Sequence, residues 1–233
     1  MTQQISIGSK IQDGRSGWRQ TYLHYRYAVL FYSLILTLVV GPFLKAIGLS
    51  GNVVQLFLGL NLLAASVPLE SLKRRWVLPA IVLVAIVLRI VSIQTDQAEL
   101  ATVSLFLWTA IGLYAVFMAL RFALRSSVIT SEHLYAALSA YLLAGLFMGV
   151  LYWSLEQIWP DSIIVNGPGA SSPFLVAEGI YFSFITLATV GYGDMVPGNA
   201  VVRGLAVAEA IAGQFYLAVM IARLMSLYMR EKR

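Results

Sequence analysis

The chain has 233 residues, of which 59% are hydrophobic and 12% are charged, whereas a soluble domain carries about 25% charged residues. A soluble core of this size cannot hide so much apolar surface, so the composition excludes an ordinary soluble protein. The net charge of +5 is not gathered on one face, because the basic residues stand between apolar segments, and this argues against a nucleic-acid partner. The sequence has no cysteine, which excludes disulfides and cysteine-ligated metal sites.

Six apolar segments approach the length of about 20 residues that a membrane-spanning helix needs. They lie at 23–44, 52–70, 76–94, 100–122, 132–155 and 201–228. A shorter apolar segment at 173–188 precedes the last of them. No apolar stretch with a small-residue cleavage site follows the polar N-terminus, so a cleaved signal peptide is not expected. The pattern predicts an all-α membrane protein with six transmembrane helices and one half-span.

Lysine and arginine placement predicts the orientation, because short loops rich in these residues stay in the cytoplasm. Thirteen of the 16 basic residues fall on one side: Lys10, Arg15, Arg19, Arg26, Lys73, Arg74, Arg75, Arg121, Arg125, Arg223, Arg230, Lys232 and Arg233. An even number of spans places both termini on that side. We therefore expect a multi-pass protein of the plasma or inner membrane with cytoplasmic termini.

One basic run, Lys73, Arg74 and Arg75, is also a candidate for contact with anionic lipid headgroups. Such runs at inner helix ends are more often plain topology signals. The bilayer itself is the partner that the composition requires.

The half-span is expected to be re-entrant, because a non-helical backbone at membrane depth must be covered by protein or line a cavity. Ser172 can cap a helix whose first residue is Pro173. This helix would run from Phe174 to about Ala188 and point its C-terminal end into the membrane. Helix C-termini carry partial negative charge, so several of them converging on one cavity would stabilise a cation.

The five residues Thr189, Val190, Gly191, Tyr192 and Gly193 form the run TVGYG directly after the half-span. Four copies of this run build potassium selectivity filters, in which backbone carbonyls replace the hydration shell of the ion. Glycine is needed where successive carbonyls must face one axis, because the required backbone angles are unfavourable with a Cβ atom. A surface turn is the alternative, but it would not explain the flanking apolar segments. The carbonyls of Thr189 to Tyr192 and the Thr189 hydroxyl are thus predicted to hold K⁺, with no other cofactor.

The run from Thr186 to Asp194, followed by Pro197, resembles the tetrameric potassium-channel family over roughly 132–229. The resemblance implies a homotetrameric channel and not an enzyme, with an outer helix, a pore helix, a filter and an inner helix around a four-fold axis. It divides the chain into a cytoplasmic tail, a voltage-sensor-like four-helix region and a pore domain, at 1–20, 21–128 and 129–233.

The resemblance also implies residues that support the filter. Tyr181, Phe182 and Tyr192 occupy positions of an aromatic cuff that holds the ion cages open. Asp194 matches an aspartate that hydrogen-bonds to a pore-helix aromatic residue, for which Tyr181 is the candidate. Thr186 completes this set as the last hydroxyl of the predicted pore helix.

Glu209 is an ionisable residue inside the last span, which makes it a functional candidate. Two interpretations are open: a gating or ion-attracting group, or a structural partner for pore-helix hydroxyls such as those of Ser183 and Thr186.

Gly213 lies in the same span where the resemblance implies a glycine hinge for gating, with close helix packing as the alternative. Three apolar residues beyond it are candidates for an inner constriction that closes by dewetting: Leu217, Met220 and Leu224.

Six spans with a pore between the last two resemble the voltage-gated branch of the family. The stretch from Glu99 to Leu120 nevertheless holds no lysine or arginine, and voltage sensing requires several charges in the membrane field. We therefore predict a sensor-like scaffold without a working sensor. The sequence ends at Arg233, soon after the last span, so gating without an attached cytoplasmic ligand-binding domain is expected. A weakly selective cation channel and a regulatory subunit of a heteromeric channel are the alternatives.

Overall fold

The computed structural model describes residues 25–40, 43, 59, 77–95, 98–125, 130–166 and 174–231. The helices whose bounds it defines are α1 (Tyr25–Val40), α2 (Val77–Thr95), α3 (Ala98–Arg125), α4 (Ser131–Ile158), α5 (Val176–Leu187) and α6 (Ala200–Glu231). Two short strands, β1 (Ile163–Val165) and β2 (Met195–Pro197), flank α5 in the sequence.

The helices coincide with predicted apolar segments to within a few residues. Among the residues that the structure describes, three stretches are long and apolar enough to cross a membrane: Val103–Leu124, Ser131–Ile158 and Ala200–Arg223. A helical, multi-pass membrane protein is therefore confirmed, while the count of six spans stays a prediction. The predicted span at 52–70, apart from Gly59, lies outside the described residues, as do the tail at 1–20 and the basic run at Lys73, Arg74 and Arg75.

Helix α4 is the centre of the fold, because much of it is buried by its neighbours. Its glycines permit α5 to approach very closely, as small residues do at membrane helix contacts. A Cβ atom on Gly149 would overlap with the backbone of Ile180, and one on Gly145 would come within 2.6 Å of the Phe184 ring. The pore-helix position thus depends on two glycines of α4.

Of the helices before α4, α3 packs directly against α4, and α2 packs against α3. Gly112 of α3 lies so close to the Phe147 ring of α4 that an added Cβ would overlap with it. Helix α3 also contacts α2, where the Trp108 indole Nε1 donates to the Ala85 carbonyl at 3.1 Å. Helix α3 therefore connects α2 to the helix α4 of the same chain.

Strands β1 and β2 form a small antiparallel sheet, with Ile163 opposite Pro197 and Val165 opposite Met195. The sequence analysis predicted an all-α protein, so this sheet was not expected. Its residues are mainly β-branched, which suits strands, but the pairing joins segments on either side of α5 and has no local sequence signal. The sheet joins the loop before the pore helix to the segment after the filter.

Candidate functional site: the pore helix and the filter

Helix α5 has 12 residues and is therefore about 18 Å long, well short of the hydrocarbon thickness of about 30 Å. The predicted start at Pro173 is wrong, since Phe174 and Leu175 precede the helix. The Glu178 carboxylate accepts a hydrogen bond from the Leu175 amide at 2.9 Å. This bond satisfies one of the free amides that a helix start leaves, so the helix begins three residues later. Ser172 and Pro173 themselves lie outside the described residues.

The filter backbone alternates between two conformations. The φ angles of Thr189, Gly191 and Gly193 are 55°, 55° and 83°, whereas Val190 and Tyr192 between them do not have positive φ. Alternation of right- and left-handed residues turns successive N–H groups to one face of the chain. Such an alternation allows the carbonyl groups to face the other side, as a row of cation ligands requires.

Positive φ was expected for the two glycines but not for Thr189. A β-branched residue in this region is a backbone outlier, and such strain persists only where the surroundings hold it. The C-terminal end of α5 provides this hold. The Thr189 amide donates to the Thr186 carbonyl at 2.9 Å, and the Val190 amide donates to the Ile185 carbonyl at 2.8 Å. Because these bonds use the N–H groups of Thr189 and Val190, they leave the carbonyls of these two residues for other ligands.

Asp194 anchors the residue after the filter to the pore helix. Tyr181 Oη donates to Asp194 Oδ2 at 2.8 Å, which is the pair that the resemblance implied. The other carboxylate oxygen, Oδ1, is buried and makes no hydrogen bond within the described part of the chain. The role of both residues in supporting the filter stays a prediction.

The aromatic residues of the predicted cuff have different surroundings within one chain. Phe182 is 2% exposed and packs edge-to-face on Tyr152, with ring centroids 4.9 Å apart. Tyr192 is 72% exposed. A cuff that includes both rings stays a prediction about an assembly of several chains.

Glu209 lies behind the pore helix, not in the row of filter residues. It is 4% exposed, and both of its carboxylate oxygens accept a hydroxyl. Tyr152 Oη of α4 donates to Oε2 at 2.7 Å, and Ser183 Oγ of α5 donates to Oε1 at 2.5 Å. The Thr186 hydroxyl donates instead to the Phe182 carbonyl of its own helix, at 2.8 Å. The geometry matches the structural interpretation of Glu209, with Ser183 as the partner.

Gly213 is buried against the C-terminal end of the pore helix. A Cβ atom there would overlap with the Leu187 carbonyl oxygen. Close packing therefore explains the glycine without a hinge.

The three candidates for an inner constriction differ in placement. Leu217 is 40% exposed, while Met220 is 8% exposed and belongs to the core with α1, α3 and α4. Residues three apart on a helix differ by about 60° in direction, which turns Met220 towards the core. This burial does not favour a pore-lining place for Met220, and the inner constriction stays a prediction. The side chain of Leu224 lies outside the described ones.

Two residues that the sequence analysis did not single out contact the filter through their amide side chains. Gln214 of α6 donates from Nε2 to the Thr189 hydroxyl at 3.3 Å, at the inner end of the filter. Asn166 follows β1 and donates from Nδ2 to the Gly193 carbonyl at 3.3 Å, at the outer end. Gln214 could have been found from the sequence, because a polar residue within an apolar span is a functional candidate. Asn166 could not, because asparagine is common in loops.

Comparison with known proteins identifies this arrangement. A family model described as "Ion channel" matches residues 129–230, which is the region from the start of α4 to the end of α6. Protein LctB of Bacillus caldotenax is 32% identical over 95 residues, a match that covers 40% of this chain and 69% of that protein. Two-pore potassium channel 3 of Arabidopsis thaliana is 28% identical over 97 residues, covering 42% of this chain and 20% of the plant protein's length. No solved structure matches significantly.

A short apolar helix that leads into an alternating backbone, between two long apolar helices, defines a pore-forming membrane protein. The chain belongs to the ion channel family, whose members are channels and not enzymes. The resemblance to potassium channels that the sequence indicated is thereby confirmed.

Proposed function

We propose that the protein is a potassium-selective channel in which four identical chains surround one filter. Its ion sites are the carbonyls of Thr189, Val190, Gly191 and Tyr192 with the Thr189 hydroxyl, and Gly193 ends the row. The observation that carries the proposal is the alternating backbone at Thr189, Gly191 and Gly193. Such an alternation lets several carbonyls of one short segment face the same side, which suits a dehydrated cation.

The need for several chains follows from the exposure of the filter. One strand cannot enclose an ion, and Tyr192 is largely exposed on the single chain. Polar backbone at membrane depth must be covered by protein or line an aqueous cavity. A closed ring of four copies satisfies both conditions. Asp194 Oδ1 is buried and has no hydrogen-bond partner among the described residues, and a donor from another copy would remove a cost of about 1–3 kcal/mol.

The proposal includes six spans with cytoplasmic termini in a plasma or inner membrane. The basic residues support this orientation, since Arg121 and Arg223 both stand near the ends of α3 and α6 that the sequence assigns to the cytoplasmic side. Anionic lipid at Lys73, Arg74 and Arg75 remains part of the proposal, as does gating without a charged fourth span.

The test is potassium flux, driven by a potassium gradient, into liposomes that contain only the purified protein, with and without barium and then with sodium. We expect potassium flux that barium blocks and sodium flux that is at least tenfold smaller. Comparable sodium flux would favour the weakly selective cation channel. Silence of a properly assembled protein would favour a regulatory subunit that needs a partner chain.

Voltage dependence is tested in the same membranes. The described part of α3 has no basic residue between Leu100 and Leu120, and each sensing charge contributes about 2.3 kcal/mol per 100 mV. We expect a shallow conductance–voltage relation. A steep relation carrying several gating charges would contradict the scaffold interpretation.

A further inference from the structure

Gln214 of α6 meets the innermost residue of the filter. The neighbouring Gly213 packs so tightly on the end of α5 that an added Cβ would overlap with the Leu187 carbonyl oxygen. This contact brings the backbone of α6 close to the point where the filter begins. Gln214 follows directly, and its Nε2 atom lies 3.3 Å from the Thr189 hydroxyl oxygen. The amide therefore lies at the inner end of the proposed ion sites.

The polar side chains of α6 on either side of Gln214 are directed away from the filter. Glu209 accepts two hydroxyls behind the pore helix. The Tyr216 hydroxyl donates to the Ala137 carbonyl of α4. The other residues in 210–222 are glycine or apolar. In this part of α6, Gln214 is thus the residue whose side chain donates a hydrogen bond to the filter.

The hydrogen bond from Gln214 changes what the Thr189 hydroxyl can offer to an ion. An amide nitrogen only donates, so the hydroxyl oxygen accepts and one of its lone pairs is occupied. The same oxygen is the ligand that Thr189 contributes to the proposed ion sites. The N–H group beside it carries a partial positive charge, which repels a cation. The hydroxyl is therefore a weaker cation ligand with Gln214 than without it.

We propose that Gln214 lowers the cation affinity of the innermost filter site, and so weakens block by divalent cations that enter from the cytoplasmic side. The inference rests on the proposed potassium-channel function. Conduction requires sites that bind an ion strongly enough to admit it and weakly enough to release it. Barium is a sensitive probe of such a site, because it has twice the charge of potassium at a similar ionic radius. A change in the electrostatic strength of a ligand therefore acts about twice as strongly on barium.

The test measures block of potassium current by barium on the cytoplasmic side, in planar bilayers that contain full-length wild type, Gln214→Met or Gln214→Asn. Methionine keeps the length of the side chain but cannot donate. We expect the barium dissociation constant of Gln214→Met to be about three- to tenfold lower than that of wild type, the factor that loss of one hydrogen bond produces. Its potassium current should also saturate at a lower potassium concentration.

Gln214→Asn separates contact with Thr189 from the polarity of the cavity. Asparagine keeps an amide but is one methylene shorter, so its N–H group cannot bridge a distance that is already 3.3 Å with glutamine. We expect it to tighten the block as methionine does, and it serves alone if Gln214→Met fails to assemble. Val219→Ala is the matched control, because Val219 is an exposed residue of α6 with no described contact to the filter.

The sign of the effect makes the inference falsifiable. Unchanged or weaker block in Gln214→Met would overturn it, because the amide would then have no effect on the innermost site or would strengthen it. Block equal to wild type in Gln214→Asn, or equal tightening in Val219→Ala, would overturn it as well. Selective wild-type current would in these cases leave the proposed function standing, and its absence would refute the function separately.

Discussion

The pore region from α4 to α6 and the peripheral helices α1 to α3 are held by different kinds of contact. In the pore region, bonds between separate elements include hydroxyl–carboxylate pairs, such as Tyr152 with Glu209 and Tyr181 with Asp194. The peripheral core is mainly apolar, and most of its described polar bonds between helices involve a backbone group, as in the bond from the Trp108 indole to the Ala85 carbonyl.

This difference indicates in which region the atoms must be held in exact positions. Hydrogen bonds are directional, whereas apolar burial is not and tolerates substitutions that conserve volume. The match to the ion channel family covers 129–230, the region that contains the directional bonds around the filter. We therefore expect changes in the pore region to alter conduction and changes in the peripheral region to alter mainly stability.

The largest effect is expected from Gly191→Ala or Gly193→Ala. Each glycine has positive φ, where a Cβ costs about 1–2 kcal/mol per residue, so the carbonyl row should be lost and potassium flux abolished. The measurement is liposome flux. Gly204→Ala is the control, because an added Cβ there meets nothing within 4 Å and φ is not positive. Normal flux in either filter variant would refute the carbonyl row.

The next effect is expected from Gly213→Ala. The added methyl group would overlap with the Leu187 carbonyl, and overpacking of this kind costs about 1–3 kcal/mol. Thermal unfolding in detergent should show the loss of stability, and flux should fall because the pore-helix end is displaced. A variant with unchanged stability that opened less often would instead support a hinge at Gly213.

A smaller effect is expected from Glu209→Gln. The carboxylate accepts two hydroxyls, but an amide of the same shape presents one acceptor and turns an N–H group towards a hydroxyl. We expect a loss of stability of about 1–3 kcal/mol, measured by thermal unfolding. In the Tyr152→Phe background the same change should cost less, because one donor is already gone. An equal loss of stability in both backgrounds would show that Glu209 and Tyr152 do not act together.

The smallest effect is expected from Trp108→Phe in the peripheral region. It removes the indole donor to the Ala85 carbonyl and should lower stability by about 0.5–1.5 kcal/mol with selective flux unchanged. A change in potassium selectivity would contradict the division of roles between the two regions.

Sequence patterns located the helices well because burial in a membrane depends on length and apolarity alone. The pairing of Tyr181 with Asp194 was implied by the motif, and Ser183 was among the expected partners of Glu209. Tyr152 was not expected, because it lies 57 residues from Glu209 and only the packing of α4 on α6 brings them together. The start of α5 was missed because the sequence analysis did not consider Glu178, whose carboxylate accepts from the Leu175 amide just before the helix.

By itself the amino-acid sequence determined the membrane class, the filter run and the family, since each depends on local composition or on a short contiguous motif. Tertiary structure decided what holds the filter in place. The burial of Met220, the contact of Gly213 with Leu187 and the hydrogen bond from Asn166 to Gly193 depend on segments that are distant in sequence. Their contacts form only when α4, α5 and α6 pack together, because no local propensity encodes which side of one helix meets another.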